Sequence, residues 1–234
     1  MIPVLETIAG QRILGMHSKT VDGDTFRFYE TEGPASRQTF EDEEEVRQRY
    51  WHVQPGNTVI DIGAGMGSYT LPACAAYAGR VLAFCPQQPD LDILRANIHL
   101  NEYDATGVCE IIPYGLYSHE GWMEPDGTVM RYSPQPIPKG FYVLPLDWID
   151  LADLHKLDWL KIDAEGAEAE ILKGAKHTLR SMPPREMLIE CHQFMDATLE
   201  QEVRAEISAI GIPYRISRHE RHAVCHLHCR REGP

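Results

Sequence analysis

The stretch Thr58–Tyr69, TVIDIGAGMGSY, constrains this chain more than any other. Val59, Ile60 and Ile62 are β-branched and apolar, the composition of a short strand buried on both faces in a parallel sheet. Gly63, Gly65 and Gly67 follow, with Ala64 between them, and Ser68 and Tyr69 open a segment able to coil into a helix. A strand, a tight glycine turn and a helix N-terminus form a cradle of nucleotide size. Glycine is required because a side chain would hold a ligand off the backbone. The spacing is G-x-G-x-G, preceded by Asp61, and departs from the G-x-G-x-x-G of dinucleotide folds. The plain alternative is a tight turn that binds nothing.

Around this stretch, strands and helices alternate. Arg80–Phe84, Val108–Pro113, Leu157–Ile162 and Glu186–His192 read as buried strands. Leu71–Ala78 reads as a helix closed by Gly79, and Asp90–Asn101 as a helix capped by Asp90. Leu146–Leu154 reads as a short helix, Ala167–Leu179 as one amphipathic helix with Glu168, Glu170 and Lys173 on its polar side, and Asp196–Ile210 as a helix ended by Gly211. Tyr214–Ser217 and Ala223–Arg230 read as a final antiparallel pair. This order predicts an α/β fold with a mainly parallel sheet and helices on both faces. Residues 1–50 form an extension, with short strands at Ile13–Met16 and Thr25–Tyr29 around Val21-Asp22-Gly23-Asp24, and an acidic helix start from Phe40. Residues 51–234 form the main domain. Residues 120–139 read as an inserted hairpin, turning at Pro125-Asp126-Gly127, in which Trp122, Met123, Met130 and Tyr132 either line a pocket or anchor the loop itself.

Composition excludes some classes. The net charge of -13 repels phosphate backbones, so nucleic acid is not an expected partner. No apolar run is long enough to span a bilayer, so no membrane partner is expected. The start MIPVLETIAGQR has no basic region before an apolar one, and the six cysteines are scattered without a C-x-x-C pair. The expected compartment is the cytoplasm, with reduced thiols. The C-terminal HERHAVCHLHCRR meets no standard zinc spacing. In a strand, Cys225, Leu227 and Cys229 face one way and His226 and His228 the other, so a plain strand is expected.

Ligands of open α/β sheets bind outside the carboxyl ends of the strands. The residues there are Asp61, Cys85, Tyr114, Asp163, Glu165, Glu190 and His192, a mostly acidic rim. Asp163, Glu165, Glu190 and His192 are the candidate catalytic residues, as acids or bases able to take a proton. His192 has the ordinary pKa nearest neutrality. The alternative role for each is structural, as a strand-end group capping the next helix.

The motifs together resemble the FkbM family of methyltransferases. The resemblance runs from about Phe40 to His192 and rests on VIDIGAGMGSYTL, LRANIHLN (Leu94–Asn101), VLPLDWID (Val143–Asp150), LKIDAEGAEAEILKGA (Leu160–Ala175) and LIECH (Leu188–His192). It implies a class I, Rossmann-like methyltransferase fold with a seven-stranded sheet. It implies S-adenosylmethionine as methyl donor and O-methylation of a hydroxyl on a sugar, glycan or secondary metabolite. Asp61, Gly63, Ala64, Gly65, Gly67, Ser68 and Tyr69 would form the cofactor loop. Cys85, Pro86, Gln87, Tyr114, Gly115 and Asp163 would complete the cofactor site, with an adenine near Tyr114. No residue is assigned to a metal, although hard carboxylates would suit magnesium. A homodimer stays open. One departure stands out. The family carries a glutamate after the second strand, where it binds the ribose, and this chain has Cys85. Gln87 or Gln88 is the expected replacement. The rival readings are a non-catalytic methyltransferase-like binding or scaffold protein, and an N- or carboxyl-methyltransferase.

Overall fold

The computed structural model describes residues 7–21, 23–32, 36–126, 129–192, 196–221 and 224–233. Asp22, Gly127 and His222, which the sequence places in two turns and in the C-terminal cluster, lie outside the described residues. The chain divides into two compact units, Met1–Pro113 and Tyr114–Pro234.

The first unit opens with β1 (Thr7–Ile8), β2 (Gln11–Val21) and β3 (Asp24–Thr31), an antiparallel sheet longer than the short strands expected there. Helices α1 (Ser36–Asp42) and α2 (Glu44–Tyr50) follow. Then come β4 (Thr58–Ile62), α3 (Thr70–Ala75), β5 (Arg80–Phe84), α4 (Asp90–Leu100), the single turn α5 (Tyr103–Thr106) and β6 (Cys109–Ile112). Strands β4, β5 and β6 are parallel neighbours. Every residue of β4 is buried, as a two-sided apolar strand requires. Ile8 and Tyr29 of the antiparallel sheet share a buried cluster with Met66, Ile93 and Leu100.

Helix α3 is shorter than expected, and Gly79 is not its cap. Tyr77 takes the positive φ of 55° near the helix end. Gly79 is needed for a different reason: a Cβ there would stand 3.1 Å from the carbonyl oxygen of Gly56. Asp90 is the first residue inside α4 rather than its cap, and Pro89 occupies the cap position.

The second unit contains β7 (Gly115–Leu116), β8 (Gly121–Asp126), β9 (Val129–Ser133) and β10 (Phe141–Leu144), which form a four-stranded sheet in the order β7-β10-β8-β9. The expected hairpin is therefore β8–β9. A 3-10 turn at Leu146–Trp148 replaces the helix expected over Leu146–Leu154. Asp147 in that turn accepts the backbone N–H groups of His177 and Thr178, at 3.0 and 2.8 Å.

Next are β11 (Trp159–Ile162), α6 (Glu168–Gly174), α7 (Lys176–Ser181), β12 (Glu186–Cys191), α8 (Leu199–Ile210), β13 (Tyr214–Arg221) and β14 (Val224–Arg231). The single helix expected over Ala167–Leu179 is thus two. Gly174 ends the first of them, and a Cβ there would run into the Tyr117 carbonyl oxygen. Strands β11 and β12 are parallel, while β14 is antiparallel to both β12 and β13. The fold class is α/β with a mostly parallel sheet, as the alternation predicts.

Candidate functional site

In the first unit the glycine loop is fastened at its start to the end of β5. The N–H groups of Gly63 and Ala64 both donate to the Phe84 carbonyl, each at 3.0 Å. Gly63, Gly65 and Gly67 all have positive φ, at 77°, 52° and 103°. They serve different ends. A Cβ on Gly65 would meet nothing within 4 Å, so the loop faces open space there. A Cβ on Gly67 would stand 3.0 Å from Leu71 and 3.1 Å from Leu94, so that glycine permits close packing of the loop on α4.

The other loop candidates are mostly internal. Asp61 is fully buried and accepts the Thr70 hydroxyl at 2.6 Å, bracing the loop against α3. Ser68 is buried. Tyr69 is 1 % exposed; its hydroxyl donates to Glu43 at 2.6 Å and its ring lies under the Arg47 guanidinium at 5.7 Å. Its side chain is therefore spent on the N-terminal helices. Cys85 is buried, and its thiol donates to the Gly65 carbonyl at 3.5 Å. Burial, and then the charge of Asp90, push that thiol up to about 12, so it stays protonated. Pro86 and Gln87 are half-buried. Gln88 is turned to the surface, donating to Asp92 at 3.3 Å.

In the second unit Asp163, Glu165, Glu190 and His192 do come together, around the imidazole. His192 is buried, and its Nε2 lies 3.6 Å from an oxygen of each of the three carboxylates. Its Nδ1 lies 3.0 Å from Glu168 Oε1. Burial lowers the proton affinity of His192, but the Glu168 hydrogen bond and the charges of Asp163, Glu168 and Glu165 outweigh it and raise its pKa to about 9. The ring is an imidazolium at neutral pH. The surrounding carboxylates thus move His192 well above the ordinary imidazole value from which it is a candidate neutral-pH base.

Asp163 is held below the usual carboxylate range. Burial works against its ionisation, but Lys161, whose Nζ is 2.9 Å away, and His192 prevail. Glu165 goes the other way: burial raises it, more than the neighbouring His192 lowers it. Its side chain is nevertheless 53 % exposed, the most accessible of the cluster. Its φ is 51°, a conformation a non-glycine residue rarely takes, and Gly166 follows at 94°.

Glu168 was missed. Read from sequence as part of a polar helix face, it is fully buried. One of its oxygens accepts the N–H groups of Ala164 and Gly166, at 3.1 and 3.2 Å, and also faces His192. It therefore shapes the Asp163–Gly166 turn and orients the imidazole together. The available signal was a third acid in the string Asp163-Ala-Glu165-Gly-Ala-Glu168, near enough in sequence to reach back to the turn before its helix. Glu190 also pairs with His226 at 3.2 Å, and His228 with Glu186 at 2.7 Å, so each histidine of β14 has its own carboxylate on β12. Tyr114 is exposed, and Gly115 belongs to β7 in the small sheet.

Ligand atoms of Asp163, Glu165 and His192 lie within 4.8 Å of one another, as a metal site requires. The donor set suits magnesium poorly. That ion prefers oxygen ligands, and one of the three donors here is a ring nitrogen, with the Lys161 ammonium 2.9 Å from Asp163.

Among solved structures, a methyltransferase FkbM from Methylobacillus flagellatus KT matches with a TM-score of 0.59 and 18 % identity, over 76 % of this chain and 44 % of that one. This chain thus spans less than half of that protein's length. A precorrin-6y C5,15-methyltransferase from Geobacter metallireducens GS-15 matches with a TM-score of 0.52 and 14 % identity, over 88 % and 95 %. The 16S rRNA N2 G1207 methyltransferase of T. Thermophilus, in complex with AdoMet and guanosine, matches with a TM-score of 0.50 and 12 % identity, over 93 % and 50 %. These likenesses establish the class I methyltransferase fold. No curated protein matches the sequence. The profile of the methyltransferase FkbM domain, however, matches residues 61–214, from the acid of the glycine loop to the first residue of β13, and with more than half of its length in that match the chain belongs to the FkbM methyltransferase family.

Proposed function

We propose that this chain is an S-adenosylmethionine-dependent O-methyltransferase acting on a hydroxyl of a small or medium-sized acceptor such as a sugar, glycan or secondary metabolite. The observation that carries the reading is the Glu165 carboxylate: accessible, drawn toward its protonated form by burial, and fixed beside an imidazolium. Methylating a hydroxyl releases a proton, and a positioned base is needed to take it. Glu165 is that base. His192 and Lys161 keep Asp163 ionised, and His192 holds Glu165 in place as a counter-charge.

S-adenosylmethionine, when bound, supplies a methyl group on a sulfonium whose charge disappears on transfer. Gly63, Ala64 and Gly65 are the residues that would hold it, since the space beyond Gly65 admits a ligand against the backbone. The AdoMet held by the T. Thermophilus neighbour supports the choice of donor. That neighbour acts on RNA, but a net charge of -13 favours an acceptor without a phosphate backbone here. A carboxylate acceptor would be repelled by the same cluster of acids, which places carboxyl methylation behind O-methylation.

A second reading is a methyltransferase-like binding protein, and Cys85 favours it, because a buried protonated thiol offers no anion to a ribose. One experiment separates the two. Purified protein is incubated with isotopically labelled S-adenosylmethionine and a panel of hydroxylated acceptors, and products are read by mass spectrometry. A labelled methyl ether whose formation drops in Glu165→Gln supports the enzyme. Donor binding without any methylated product supports the binding protein.

A further inference from the structure

We propose that Asp90 supplies the ribose-binding carboxylate that position 85 lacks, so that the acid has moved from the end of β5 to the first turn of α4. The inference rests on the methyl-donor reading above and names a residue of that same site.

The argument starts with what Cys85 is doing. Its thiol points at the glycine loop and donates to the Gly65 carbonyl, so even the hydrogen it carries is already used. The ribose of a nucleoside ligand presents two adjacent hydroxyls, which a single carboxylate can accept with its two oxygens. In the FkbM pattern such an acceptor comes from the residues just after β5.

The choices there are few. Pro86 and Pro89 have no side-chain acceptor. Gln88 is exposed and bonded to Asp92, and Asp92 also takes Arg95 at 3.2 Å, so this pair is occupied at the outer surface. Gln87 is half-buried but neutral. Asp90 is half-buried, and among the described residues no hydrogen bond or ion pair of its carboxylate is found, burial alone acting on its proton affinity. It lies close enough to Cys85 for its charge to act on that thiol, and burial raises its own proton affinity.

A partly desolvated carboxylate without hydrogen bonds is unfavourable, and protein groups of this kind usually have a partner. The helix macrodipole eases the charge of a first-turn acid but donates no hydrogen bond to its side chain. A diol does. Asp90 therefore has the charge, the proximity to Cys85 and the unused acceptors that the site needs.

The test is calorimetric titration with S-adenosylhomocysteine and with its 2′-deoxyribose analogue, for wild type, Asp90→Asn and the double variant Asp90→Asn/Cys85→Glu. Thermal melts of each show that it is folded. Asp90→Asn should weaken S-adenosylhomocysteine binding about ten- to a hundredfold, the loss expected for a hydrogen bond to a charged acceptor. The missing hydroxyl should weaken binding to wild type but make little difference to Asp90→Asn. The double variant should recover affinity, since it returns an acid to the end of β5. Equal binding by wild type and Asp90→Asn, or an equal penalty for the deoxy analogue in both, would overturn the role of Asp90 and leave the donor reading standing. No binding by wild type would overturn both together.

Discussion

Asn97 donates to the Met66 carbonyl across 3.0 Å, and so joins the middle of α4 to the glycine loop. The same side chain accepts the Tyr29 N–H at 2.8 Å, so β3 is fastened to the loop through one amide. One turn on, Asn101 repeats the device on Arg27, accepting its N–H at 2.8 Å and donating to its carbonyl at 2.7 Å. The two asparagines of the LRANIHLN string therefore hold the N-terminal hairpin in place. Replacing the fully buried Asn97 by Leu strands two backbone groups and should cost about 2–4 kcal/mol of stability. Asn97→Asp keeps the acceptor for Tyr29 and loses the donor to Met66. Urea unfolding should place it between wild type and Leu, with S-adenosylhomocysteine affinity reduced in both.

The contrast between Gly65 and Gly67 predicts two different defects. Gly65→Ala keeps room for its methyl group, so its stability loss should be limited to the left-handed backbone, about 1–2 kcal/mol. Its donor binding should collapse if the donor sits where we propose, because the methyl would occupy that open side of the loop. Gly67→Ala adds contact with Leu71 and Leu94 and should lower the unfolding midpoint further. Paired titration and denaturation of both variants checks this; a larger binding loss in Gly67→Ala at equal stability would refute the assignment of faces.

Glu165 should show activity and stability moving in opposite directions. Glu165→Gln should reduce kcat by about 10²–10⁴, the usual span for a lost general base. Glu165→Gly should be similarly inactive yet more stable by about 1 kcal/mol, since glycine takes a φ of 51° without strain. A destabilised Glu165→Gly would mean that its backbone conformation is not strained.

The pH dependence of stability follows from His192. Its folded pKa is about 9, above the ordinary 6.5. Folded protein thus binds the proton more tightly than unfolded chain does. The stabilisation is fully present below pH 6.5 and is lost as pH rises through about 9. The shift corresponds to roughly 3 kcal/mol as an order of magnitude. Asp163, held low, contributes in the opposite sense: its stabilisation is present above the ordinary carboxylate value and is lost on acidification. Denaturant midpoints between pH 6 and pH 10 should fall in wild type and be flatter in His192→Gln.

Much of this was legible because the signals were local. The apolar run of β4, the glycines and the span of α4 each follow from a few adjacent residues, and their bounds hold within a residue or so. The need for glycine at 174, where the first helix ends, was not legible, since it comes from the approach of the Tyr117 carbonyl, a long way off in sequence. Glu168 misled for a related reason: helical periodicity records which face a residue is on, and not whether a histidine just after β12 covers it. The raised pKa of His192 was beyond reach for the same cause, as it comes from Glu168 at the start of α6 and from Asp163 and Glu165 in the turn after β11.

The asparagine clamps also bear on how such chains can be recombined. A crossover placed near residue 50 would exchange the hairpin but leave Asn97 and Asn101 behind with α4. The physically coupled unit is therefore not a contiguous segment. It is β3 together with one stripe of α4, and chimeras that respect this pairing should survive where those cut at the apparent boundary fail.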